Sequence, residues 1–229
     1  MRSALAVLAL LLAAPVSQSQ EVASDSLAPP PDTEPYEVAL LRDVYAWDSP
    51  ALVIPIRVVN ESAYPAYLGT APAMWAVALT TNADADPALR MTAAQVVNYG
   101  VTRSLKNLLR RPRPYASLVN VEARDRGHIG DDVFDPTSFP SGHTSAAFVI
   151  ATSLSLSYPE WYVVAPAMSW ATIMGVGRVW HGVHYPSDVA VGTVIGLASG
   201  AAVHFLLPEV FGDGEGEGAV MPVNLVIPL

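Results

Sequence analysis

The chain has 229 residues, 52% of them apolar and 14% charged, with a formal net charge of −9 and no cysteine. That length suffices for one domain with a substantial core. The lack of thiols excludes disulfide staples, thiolate metal sites and cysteine nucleophiles, and the acidic balance argues against nucleic acid as a partner.

Met1-Arg2-Ser3 precedes an apolar run over 4–14, and Ser17-Gln18-Ser19 places small residues where a signal peptidase cuts. The run is short for a bilayer span, so the pattern predicts a secretory signal peptide over 1–19, with an uncleaved N-terminal anchor as the alternative. Either places the body of the protein in the periplasm or cell envelope. Residues 20–35, with Pro29-Pro30-Pro31, read as a flexible linker. The domain proper is predicted over 36–207 and is all-α, with helices over 37–47, 51–59, 66–81, 91–111, 142–157, 161–176 and 186–207. A long irregular segment over 112–139, rich in proline, glycine and aspartate, interrupts it; loops of that length are often functional. The tail 208–229 is acidic and glycine-rich and is expected to stay outside the packed core.

The few cations are concentrated. Arg103, Lys106, Arg110, Arg111 and Arg113 crowd into eleven residues, and one basic patch in an acidic protein reads as an anion pocket. Pro112 and Pro114 end the helix that carries Lys106, so Lys106 lies in its last turns and Arg113 on the extended exit. A basic helix C-terminus favoured by the macrodipole explains the same residues, and Arg103, Arg110 and Arg111 are assigned to that role or to an outer funnel. A second cluster is Pro140-Ser141-Gly142-His143, where Ser141 suits an N-cap, Gly142 permits close backbone approach, and the first helical turn favours an anion. Taken alone it is equally an ordinary helix start with a surface histidine. The third comprises Arg178, His184 and Asp188. The last two are four residues apart across a helix start, so Asp188 can hold one imidazole nitrogen and leave the other as nucleophile or base. His181 is read as a neighbour, and His128 and His204 have no partner in the pattern.

Together the clusters supply three fixed positive charges, two imidazoles and a carboxylate, an inventory suited to binding a phosphate and then attacking it. They resemble the type 2 phosphatidic acid phosphatase (PAP2) superfamily, which also includes bacterial class A acid phosphatases and vanadium haloperoxidases. Its signature is Lys, six residues, Arg-Pro; then Pro-Ser-Gly-His; then Ser-Arg, five residues, His, three residues, Asp. Lys106 to Pro114, Pro140 to His143 and Arg178 to Asp188 match it, and Gly177 departs from the usual serine. The resemblance implies a helical bundle and a phosphatase needing no metal and no cofactor. In it Lys106, Arg113, Arg178 and the backbone at Ser141 and Gly142 would hold phosphate. His184 would attack phosphorus and form phosphohistidine, Asp188 would fix its tautomer, and His143 would serve as acid and then base.

The substrate is expected to be a phosphorylated lipid or a small phosphomonoester, with Tyr115, Phe134 and Phe139 bordering the leaving group. A vanadium haloperoxidase and a non-catalytic envelope anion- or lipid-binding protein are the competing readings. Oligomeric state is not encoded in any motif, and Trp161, Trp170 and Trp180 suit a core or an interface. Five spans over 66–81, 91–109, 143–158, 161–177 and 188–207 would leave only Arg90 as a basic residue inside, reversing the positive-inside rule. The charge pattern thus points to a soluble or peripheral domain with membrane contact, and an integral membrane enzyme is the alternative.

Overall fold

A computed structural model describes residues 35–81, 83–124 and 135–207. The expected signal peptide, most of the linker, the tail, His128 and Phe134 lie outside these residues.

Pro35 precedes α1 (Tyr36–Tyr45), and Pro50 opens α2 (Pro50–Glu61) at a position where a missing N–H costs nothing. Only Ser62 separates α2 from α3 (Ala63–Thr81); its N–H stays bonded to the carbonyls of Val58 and Val59. α4 (Asp86–Leu109) begins five residues before the predicted start, because Pro87 fits a first turn and the Asp84 carboxylate accepts the Asp86 N–H at 2.9 Å. It ends where Arg110 turns left-handed (φ 45°) and returns its N–H to Lys106, a helix stop made here without glycine. A single turn, α5 (Pro114–Ser117), follows. The chain then reaches α6 (Gly142–Ser157), α7 (Trp161–Trp180) and α8 (Pro186–Leu206). α7 runs past its predicted end, so Arg178 is held on a helix. Among the described residues the only β-type pairing is an isolated bridge between Pro112 and Thr137, and the all-α expectation holds.

α6 is the central helix. It packs on α8, α7 and α4, while α4 also touches α8, α2 lies on α7, and α3 leans on α4. The α6–α8 seam is close because α8 presents Gly192, Gly196 and Gly200 four residues apart. A Cβ on Gly196 would lie 2.5 Å from the Ser145 carbonyl oxygen and 2.6 Å from Phe148 Cβ; on Gly192 it would lie 2.7 Å from the Ser141 oxygen. Backbone contact of this kind fixes the start of α6 against the start of α8. Arg90 caps the far end of α8, donating to the carbonyls of His204 and Leu207. Leu41, Val38, Val121, Val179 and Tyr185 form the apolar floor beneath the loop before α8.

Candidate active site

The three sequence clusters meet where α4 ends, α6 begins and α7 passes into α8. His184 sits on the short connection after α7 and is fully buried. Its Nε2 is 3.4 Å from Arg113 Nη1, and its Nδ1 is 3.6 Å from Asp188 Oδ2. Asp188 reaches back to the backbone N–H of Tyr185 at 2.8 Å, a helix-start bond that also pins the carboxylate. The Ser141 N–H donates to the Asp188 carbonyl at 3.0 Å, tying the second cluster to the third.

Burial, and then the charges of Arg113, Lys106, Arg178 and His143, hold the His184 imidazole well below the usual histidine range. It is therefore neutral at ordinary pH. With Asp188 on the Nδ1 side, the tautomer protonated there turns the Nε2 lone pair towards Arg113 Nη1. The same four groups surround His184 closely enough to act on it, so the sequence clusters form one electrostatic site.

Arg113 is fully buried on the α4 exit; its Nη1 donates to the Val183 carbonyl at 3.2 Å and its Nε to the Asp135 carbonyl at 2.8 Å. Lys106 Nζ donates to the Thr137 carbonyl at 2.8 Å and lies 3.5 Å from Asp135 Oδ2. Burial pushes the Asp135 carboxyl up, but the hydrogen bonds from Thr137 and the charges of Lys106 and Arg113 outweigh it and hold it below the usual carboxylate range. Arg178, 1% exposed, donates Nη1 to Asn60 Oδ1 at 2.8 Å. Ser141 takes the N-cap position of α6 without a side-chain cap bond; its hydroxyl instead meets that of Thr144 at 2.9 Å. A Cβ on Gly142 would meet Lys106 Cε at 3.8 Å and Thr102 Cγ2 at 3.9 Å, so the start of α6 lies in ordinary contact with α4. His143 is half-buried and stacks edge-on against Tyr64 at 5.5 Å.

Arg111 departs from its expected place. It is not an outer cation: Nη1 bonds Asp188 Oδ1 at 2.9 Å and Ser187 at 2.8 Å, Nη2 bonds Glu37 at 2.5 Å, and the guanidinium lies 3.9 Å over the Tyr185 ring. The left-handed turn at Arg110 redirects it inward. Glu37 and Asn60, on helices far upstream, could not be found from any spacing. His181 is buried edge-on against Trp180.

A cleft of about 480 Å³ opens beside Lys106, Gly142 and His143 between α3, α4 and α6. Its aromatic wall is Tyr64, Tyr67, Tyr99 and Trp170, in place of the loop residues Tyr115 and Phe139. Trp180 is core, Trp170 lines this cleft, and Trp161 is 79% exposed. Among the described residues no group of three histidine or acidic side chains could hold a metal ion.

The family model described as PAP2 superfamily matches residues 87–210, just over half of the chain. The chain is 32% identical over 102 residues to a lipid A 1-phosphatase of Porphyromonas gingivalis, covering 43% of this chain and 23% of the relative. It is 34% identical over 115 residues to a decaprenylphosphoryl-5-phosphoribose phosphatase of Mycobacterium tuberculosis, covering 48% and 56%. It therefore spans less than two thirds of either relative. Among solved structures, LpxE of Aquifex aeolicus superposes with a TM-score of 0.57 at 25% identity, over 72% of this chain and 93% of that one.

Proposed function

Because the chain belongs to the PAP2 superfamily, we propose that it is a phosphatase of lipid phosphates working through a phosphohistidine. The observation that carries this reading is His184: buried and neutral, with a carboxylate on its Nδ1 side and a guanidinium on its Nε2 side. A pocket that only bound an anion would not need a neutral imidazole among four cationic or imidazole groups.

In the first step the Nε2 lone pair of His184 forms a bond to phosphorus as the ester P–O bond breaks in line. The leaving alkoxide takes a proton from His143. In the second step His143 takes a proton from water, the hydroxide bonds phosphorus, and the N–P bond breaks to restore His184. Lys106, Arg113, Arg178 and the first-turn N–H groups at Gly142 stabilise the charge gathered on the equatorial oxygens. Asp188 holds the Nδ1 proton and offsets the charge His184 acquires while it carries the phosphoryl group. No step requires a metal, so EDTA should leave turnover unchanged, and vanadate should inhibit as a mimic of five-coordinate phosphorus.

The lipid assignment rests on the surface and on the relatives. α3 and α8 leave Leu79, Leu68, Val194, Phe205 and Leu206 exposed, and α8 is long and apolar enough to cross a membrane with only 33% of its apolar window buried. Acyl chains are the environment that suits such faces, so the protein is proposed to sit in a membrane with the aromatic cleft receiving the substrate's apolar chain. The two relatives named above carry lipid phosphates in their names.

The test uses the full chain, fractionated without detergent and assayed on p-nitrophenyl phosphate and a short-chain phosphatidate. Activity that stays with membranes and prefers the lipid supports the reading; activity released by osmotic shock on the soluble ester overturns the lipid part of it. His184→Ala should lower kcat/KM by at least about 10⁴-fold, as loss of a nucleophile does, and abolish acid-labile phosphoenzyme. A variant that still traps phosphoenzyme would refute His184 as nucleophile.

A further inference from the structure

Gly177 and Asn60 lie 117 positions apart in the sequence and share one small space beside Arg178. A Cβ built on Gly177 would fall 2.1 Å from Asn60 Nδ2 and 3.2 Å from Ile56 Cγ2, so nothing larger than glycine fits while the amide is there. Asn60 is 8% exposed, near the end of α2, and its Nδ2 donates to the Ile56 carbonyl at 2.9 Å, one turn back. Its Oδ1 accepts from Arg178 Nη1 at 2.8 Å. The amide orientation is settled by these partners, because a carbonyl only accepts and a guanidinium only donates. α2 itself is clamped on α7 by Val53, Ile56 and Trp180, with Trp47 and Ile173 against them.

We propose that Asn60 is a positioning residue for Arg178, aiming its guanidinium at the phosphate without neutralising it, and that Gly177 is the vacancy that admits the Asn60 amide. A buried arginine needs an acceptor to fix its plane, yet a carboxylate there would cancel the charge that draws the anion. A neutral amide meets both demands. Asn60 lies outside the residues 87–210 that match the family, so this part of the site is supplied by the upstream helix of this chain. The inference deepens the phosphatase reading and rests on it.

The experiment compares Asn60→Ala, Asn60→Asp, Gly177→Ser and the double Asn60→Ala/Gly177→Ser in the full chain, by kcat/KM, vanadate inhibition and thermal midpoint. Asn60→Ala should weaken vanadate inhibition and kcat/KM together by about tenfold or more. A merely structural Asn60 would lower the midpoint and leave vanadate inhibition of the folded protein unchanged, which would overturn the proposal. Should Asn60→Ala fail to fold, Asn60→Asp decides. It keeps the shape and the acceptor for Arg178 but gives up the donor to the Ile56 carbonyl. The ion pair with Arg178 should hold the fold while weakening vanadate by neutralising that charge, and unchanged inhibition would refute the role. Gly177→Ser should lower the midpoint sharply, and adding Asn60→Ala should raise it again; additive losses would refute the shared space. If wild-type protein neither turns over phosphate esters nor responds to vanadate, the phosphatase reading has failed, while rescue of the midpoint by the double variant still reports the packing.

Discussion

α3 and α6 both lack an amphipathic stripe, yet they meet different fates. α6, with 16 residues, buries eight of them, including Thr144, Ser145, Thr152 and Ser153. α3, with 19 residues, buries only Ala63, Ala71 and Ala78. An apolar helix without an amphipathic stripe needs an apolar environment on every side. For α6 that environment is the protein, reached through the glycines of α8. For α3 the protein covers one narrow side, and the rest is left to whatever surrounds the molecule. The site follows the same division: the residues proposed to handle phosphate gather at the buried start of α6, and the cleft proposed to take the substrate's apolar chain opens towards α3.

The largest test of this contrast is the α6–α8 seam. Gly196→Val would press its side chain into the Ser145 carbonyl and Phe148 Cβ, and overpacking costs about 1–3 kcal/mol, with contact on backbone at the upper end. It should abolish cooperative unfolding and activity together; a normal melting curve would mean the seam is looser than described. Next comes Arg111→Ala, which leaves Asp188 Oδ1 and Glu37 without their shared guanidinium. Stranding a buried charged acceptor costs about 1–3 kcal/mol, so kcat/KM should fall about ten- to a hundredfold, with the melting temperature lowered. A variant indistinguishable from wild type would return Arg111 to the outer-cation role.

The pH response follows from His184. Its folded pKa lies well below the usual value, so below pH ~6.5 the unfolded chain binds a proton that the folded protein does not. Stability should therefore fall as pH drops through that window, by up to about 1.4 kcal/mol per pH unit for this group, and the loss should stop only below the folded pKa. His184→Gln should flatten that slope between pH 6.5 and 5 in thermal melts; an unchanged slope would place the titration elsewhere. The smallest effect belongs to the exposed side of α3. Leu79, 76% exposed, can become serine with a stability change within about 0.5 kcal/mol in detergent. Several such changes together (Leu68, Val77 and Leu79 to serine) should move protein from the membrane fraction to the soluble one. If partitioning does not shift, α3 does not face lipid.

Much of the candidate site's geometry was legible because it is carried by local order. Lys106 and Arg113 straddle a proline-terminated helix, Ser141 and Gly142 open another, and His184 and Asp188 lie four apart at a third. Such spacings constrain geometry whatever the rest of the chain does. The start of α4 was misplaced because Asp84 and Pro87 form a helix entry with little apolar periodicity. The helix expected over 161–176 stops short of Arg178 because apolar periodicity weakens before the site, while packing of Trp180 and Val179 carries α7 onward.

By itself the sequence determined an all-α domain and the local spacing of the three clusters that are proposed to hold phosphate, because helix periods and stop residues act within a few positions. Only the tertiary structure decided that Arg111 turns in to Asp188, that Asn60 occupies the space over Gly177, and that Tyr64, Tyr67, Tyr99 and Trp170 make the cleft wall. Those pairings span from about seventy to more than a hundred residues, or join separate helices into one wall. They depend on which helix face meets which, and that is settled by close packing and buried hydrogen bonding across the whole bundle.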